Sequence, residues 1–67
     1  MIYLQSSAIR GVDYEQHSQT LSIWFVESGG PYDYYGVPDY VYQGLISATS
    51  AGAYFNDHIR DRYSSRR

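Results

Sequence analysis

Sixty-seven residues without a cysteine form one domain that buries only about 60% of the surface its unfolded chain exposes, so packing and hydrogen bonding must stabilise it without disulfides or a cysteine-bound zinc. The formal net charge is −2, lysine is absent, and four of the five arginines (Arg60, Arg62, Arg66 and Arg67) lie at the end, a balance that argues against broad, nonspecific phosphate binding. A cysteine nucleophile is excluded, and the expected location is the cytoplasm without membrane contact: no apolar run approaches the roughly 20 residues that span a bilayer, and the start lacks the pattern of a signal peptide.

In chain order, Ile9 to Tyr14 is a short apolar-rich stretch, Glu15 to Thr20 is polar, and Leu21, Ile23 and Phe25 then alternate with Ser22, Trp24 and Val26. Alternation with period two is the mark of strands in a hairpin. Ser28-Gly29-Gly30 supplies residues that tolerate positive φ, and Pro31 to Tyr35 resumes a strand-favouring aromatic run. Three antiparallel strands in meander order follow from this.

Pro38 suits the first position of a helix, on which Val41, Leu45 and Ala48 share a face. Thr49 or Ser50 can cap a second helix, in which Ala51, Phe55, Ile59 and Tyr63 recur every four residues and should lie on the sheet. Gly52 near its start costs up to about 1 kcal/mol against alanine, which implies close approach to a strand or to the first helix. The expected architecture is α+β: a three-stranded antiparallel meander followed by two α-helices on one face, spanning residues 1–63. Ser64 to Arg67 has no apolar anchor and is expected to be a flexible tail.

Ser6-Ser7-Ala8-Ile9, Tyr14-Glu15, Leu21-x-Ile23-x-Phe25, Tyr32-x-Tyr34, Val37-Pro38 and Ser50-x-Gly52-x-Tyr54-Phe55, with Ile59 and Tyr63 behind them, stand in the order of a known pattern. In these motifs the chain resembles the KTSC domain, a short module at the carboxyl end of some lysyl-tRNA synthetases that also occurs alone in small bacterial and phage proteins. The resemblance runs over nearly the whole chain. Glu15 stands where that family more often has aspartate, and Asp13 where it often has glycine. By association with a tRNA synthetase, the resemblance implies RNA binding.

The residues leave two uses open for the aromatic centre. Tyr32 and Tyr34 share one face of a strand, where they can build the core or form a platform on which bases stack. If Leu21, Ile23 and Phe25 face the helices, Trp24 faces away, available to bases together with Arg10, or to a second copy or another protein. Arg60 and Arg62 can contact phosphates or complement the negative end of the second helix. A one-residue slip of register would exchange the buried and exposed sets.

His58 with Asp57 and Asp61 offers too few ligands from one helical turn for a metal, and His17 lies apart in the polar loop. The serines have no nucleophile elbow or base beside them, and Gly29-Gly30 runs into proline and a strand, whereas phosphate-cradling loops open into a helix. The expectation is therefore a non-catalytic binding module without cofactor or metal. Its first reading is RNA or single-stranded nucleic-acid binding through Arg10, Trp24, Tyr32, Tyr34, Arg60 and Arg62. The alternative is a protein partner or weak homodimer that buries the Trp24 face.

Overall fold

The computed structural model describes residues 1–66. They form β1 (Ile2–Tyr3), β2 (Ile9–Glu15), β3 (Thr20–Phe25), β4 (Pro31–Tyr34), α1 (Asp39–Ser47), α2 (Ala51–His58) and β5 (Ser65–Arg66). The strands make one antiparallel sheet in the order β1-β2-β3-β4-β5. The α+β class and the central meander follow the pattern in the sequence, but the sheet has five strands where three are expected. The two extra strands are edge pieces of two residues each, too short to show any periodicity. Only their partners define them: Ile2 opposite Val12 and Tyr3 opposite Gly11 at one edge, Arg66 opposite Asp33 and Ser65 opposite Tyr34 at the other.

That second edge lies within the stretch from Ser64 that is expected to be a flexible tail. The Tyr35 N–H donates to the Ser64 carbonyl at 3.0 Å, and the backbone that follows pairs with β4. Arg67, the last residue of the expected tail, lies outside the described residues.

Alternation decides what each strand buries. Leu21 and Ile23 of β3 are fully buried beneath the helices, with Phe25 packed against the same core. In β2 both Ile9 and Val12 are fully buried although they are three positions apart. A β-bulge reconciles this: Ile9 pairs with Phe25 and Gly11 with Trp24, so Arg10 is the extra residue, and the inward phase shifts by one before Val12. Leu45, Val41, Phe55 and Ala51 close the core from the helices.

The crossing from sheet to helix is tied at Val37, which is fully buried. Its N–H donates to the Gln19 carbonyl at 3.0 Å, and its carbonyl accepts from the Tyr14 hydroxyl at 2.6 Å. The Tyr14 ring stacks on Tyr42 of α1, with centroids 4.5 Å apart and planes 9° from parallel. Gly36, at φ 72°, makes the left-handed turn that precedes this tie.

Both helix starts are close to expectation. Pro38 is the N-cap of α1, with extended ψ, one residue before the helix begins. Ser50 caps α2, its hydroxyl accepting from the Ala53 N–H at 3.2 Å. The stripe Ala51-Phe55-Ile59-Tyr63 outlasts the helix: α2 stops at His58, yet Ile59 is fully buried and Tyr63 packs on the core from the turn beyond. A Cβ on Gly52 would lie 3.3 Å from the Cβ of Ala8, so the close approach that Gly52 permits is to the loop before β2.

Candidate functional site

The sheet face opposite the helices carries the outward-pointing set. Cross-strand pairing places Tyr3, Gly11, Trp24 and Pro31 in one row across four strands. Tyr3 is 73% exposed and Trp24 half-buried. Gly11 is needed because another part of the chain crosses it: a Cβ there would lie 2.8 Å from Met1 Sδ and 2.9 Å from the Ile2 carbonyl. The row is therefore a continuous aromatic and apolar band.

The next row reads Asp13, Ser22, Asp33 and Arg66. The Ser22 hydroxyl donates to Asp33 Oδ1 at 2.7 Å. Beyond it, Glu15 pairs with Thr20, and the Ser18 N–H donates to the Glu15 carboxylate at 2.8 Å, which holds that carboxyl below its usual range. Asp13, Glu15, Thr20 and Ser22, with Tyr14, line a shallow depression of about 230 Å³. An aromatic band thus runs beside a polar strip that carries three carboxylates, Asp13, Asp33 and Glu15, together with Arg66.

The six residues singled out from the sequence do not share one surface. Trp24 is on the outer face, and Arg10 is exposed in the bulge beside its partner strand. Tyr32 and Tyr34 point the other way, opposite Ile23 and Leu21. Tyr34 is only 6% exposed and meets Phe55 edge-on at 5.5 Å, so its place is the core. Burial raises its hydroxyl pKa, as does neighbouring Tyr32, while Arg60 acts in the opposite direction. Tyr32 is half-buried and set edge-on to Phe25 at 5.5 Å. Arg60 and Arg62 are exposed just past the end of α2, outside its last turn, with Arg62 Nε donating to the Asp57 carbonyl at 3.3 Å.

On the helical side Tyr54 lies over Gly44 of α1, its ring 4.4 Å from that of His58. Burial raises the Tyr54 pKa, helped by Tyr63 and Tyr40 nearby. His58, considered for a metal on its spacing to Asp61, is thus the partner of an aromatic ring. Sequence reasoning missed Tyr3, Asp13, Ser22 and Asp33 as neighbours of Trp24. Their common face is set by pairing between strands, and only the Asp13-x-Glu15 spacing carried any local sign of it.

An antiparallel sheet with two helices on one face and, on the other, an aromatic row beside a polar row of Asp13, Ser22, Asp33 and Arg66 defines a small two-layer α+β module. The chain belongs to the KTSC domain family, whose model matches residues 5–63. It is similar to the crystal structure of a KTSC domain protein from Yersinia pestis, with a TM-score of 0.92 and 34% identity, covering 97% of this chain and 90% of that one. Among sequences, it is 41% identical over 59 residues to a lysine–tRNA ligase of Nostoc punctiforme, covering 88% of this chain but 10% of the ligase. It is also 37% identical over 62 residues to an uncharacterized protein of Stutzerimonas stutzeri, covering 92% of this chain and 86% of that protein. The chain therefore matches both a small part of a large enzyme and nearly all of a small protein. Among the described residues no helix is long and apolar enough to cross a membrane.

Proposed function

We propose that this is a non-catalytic binding module of the cytoplasm that docks a protein partner on the outer face of its sheet. The observation that carries this is the band Tyr3, Gly11, Trp24 and Pro31 set beside Asp13 and Asp33. Tryptophan and tyrosine are typical anchors of protein interfaces, where two ring-bearing side chains supply large contact area at low entropic cost. With Asp13, Asp33 and Glu15 set against Arg66 and Arg10, this face lacks the excess of cations that binding a phosphate backbone needs. The rings and carboxylates suit a partner that brings an apolar group to Trp24 and a basic side chain to Asp13 or Asp33.

A photo-crosslinking residue in place of Pro31, exposed beside Trp24, tests this in cells of the source organism. Protein adducts that disappear on adding Trp24→Ala support the reading. Adducts sensitive to ribonuclease would overturn it in favour of RNA.

RNA binding is the second reading, favoured by the likeness to a segment of lysine–tRNA ligases. On this structure its contacts would be Arg10 with Trp24 on one side of the sheet, or Tyr32 with Arg60 and Arg62 on the other. Titrating the labelled protein with short single-stranded RNA and DNA, at low and moderate salt, distinguishes the two: salt-sensitive shifts at the Trp24 indole or at these arginines support nucleic acid. Absence of shifts even at low salt removes it for these ligands.

A further inference from the structure

The two edges of the sheet are guarded unequally. At β5 the exposed Arg66 puts a cation on the last strand, a usual bar to pairing with another chain. Where β2 runs on past β1, the Tyr14 N–H is engaged by Asp13 Oδ1 at 3.0 Å, so a side chain of β2 itself occupies the donor there. β1 has no such guard. Among the described residues no strand lies beyond it, and Met1 to Ile9 contains neither a charged side chain nor a proline. Its side chains are instead apolar and open, with Met1 49%, Ile2 44% and Tyr3 73% exposed.

Backbone alternation decides which groups of β1 are free. The Leu4 N–H donates to the Arg10 carbonyl at 2.9 Å, so Leu4 and, two residues before it, Ile2 turn their backbone groups to β2. Tyr3 between them turns its N–H and C=O outward. A second copy brought up antiparallel about a two-fold axis at Tyr3 sets Tyr3 opposite Tyr3, each N–H donating to the other's carbonyl. The same register sets Ile2 of one copy opposite Leu4 of the other. Directly opposite residues share a face, so Tyr3 meets Tyr3 on the outer face and Ile2 meets Leu4 on the helix side. There Ile2 is left open although its strand partner Val12 is fully buried, and Leu4 packs at the rim of the core. Apolar groups cover apolar groups on both faces, and no like-charged side chains meet along the seam. The edge is complementary to itself, which a two-fold interface requires.

We infer that β1 pairs with β1 of a second copy of this chain, joining two sheets into one and leaving the Trp24 face free for its partner. So short a seam buries less than a stable interface does, so the dimer is weak. It is also closed, because each copy has one such edge and association stops at two. Sedimentation equilibrium of the untagged protein from micromolar to millimolar concentration should show monomer and dimer exchanging, and the Tyr3 amide hydrogen should exchange more slowly as the dimer fills. Tyr3→Pro removes the outward N–H but no bond to β2, and should leave a folded monomer. Tyr3→Lys and Tyr3→Glu should each be monomeric, because like charges stand opposite across the axis, and an equimolar mixture of the two should dimerise. Trp24→Ala should dimerise as the parent does. A parent that stays monomeric to millimolar concentration, a dimer that survives Tyr3→Pro, a Lys and Glu mixture that stays monomeric, or oligomers larger than two would overturn the inference. Loss of the dimer in Trp24→Ala would overturn it as well, by placing the contact on the outer face.

Discussion

Gly44→Ala should change sign with its surroundings. In isolation, replacing a glycine inside a helix by alanine stabilises by up to about 1 kcal/mol, because the unfolded chain loses conformational freedom and the helix gains a better former. Here the new Cβ would meet the Tyr54 ring, 2.6 Å from Cζ and 2.9 Å from Cε2, well inside van der Waals contact. The ring must leave its seat, losing its packing on α1 and its contact with His58 at 4.4 Å. Deleting a fully buried aromatic ring costs about 3–5 kcal/mol, so displacing this half-buried one costs about 2 kcal/mol. The cost exceeds the propensity gain, and the variant should be about 1 kcal/mol less stable, with its melting temperature lowered by about 4–8 °C. With Tyr54→Ala already in place the obstacle is gone, and the same substitution should stabilise by up to about 1 kcal/mol. Urea denaturation of the four proteins in the cycle gives a coupling of about 2 kcal/mol. A Gly44→Ala variant more stable than the parent, or a coupling near zero, would refute the view that this glycine exists to seat Tyr54.

Gly36→Ala should destabilise by about 1 kcal/mol through backbone strain alone, since φ is 72° and no atom lies within 4 Å of the added Cβ; an unchanged urea midpoint would contradict this. Tyr14→Phe keeps the stack on Tyr42 but leaves the Val37 carbonyl without its donor, so thermal unfolding should report a loss of about 1 kcal/mol. Stability should also fall as pH rises above about 10. Tyr14, Tyr34, Tyr42 and Tyr54 all have hydroxyl pKa values raised above 10.0 by burial, so the unfolded chain loses these protons first. Their contribution is whole below the unfolded value and is lost as pH rises through the folded ones, and Tyr14→Phe should make that decline shallower. A stability that stays level to pH 11 in urea titrations would rule this out.

What the sequence determined by itself was local. Period-two spacing of Leu21, Ile23 and Phe25 identified the central strand and its buried side, because alternate side chains of an extended chain must share a face. The recurrence of Ala51, Phe55 and Ile59 and the serine before them marked the second helix and its cap, since both signals lie within one or two helical turns. The collinear motifs pointed to the family. Tertiary structure alone decided the rest. Strands of two residues, Ile2–Tyr3 and Ser65–Arg66, have no pattern of their own and exist through their partners' free backbone groups. The bulge at Arg10 shifted the phase of β2, so no uniform alternation along the chain could have shown that Ile9 and Val12 share the core. Gly44 and Gly11 look like ordinary glycines until Tyr54 and Met1 arrive over them. Glycine after glycine at 29 and 30 reads as a turn at positive φ, and the folded backbone does bend there, but at neither residue with positive φ. The neighbours of Trp24 come from three other strands, and contacts between residues far apart in the chain depend on register, which is set by the packing of the whole sheet against its helices.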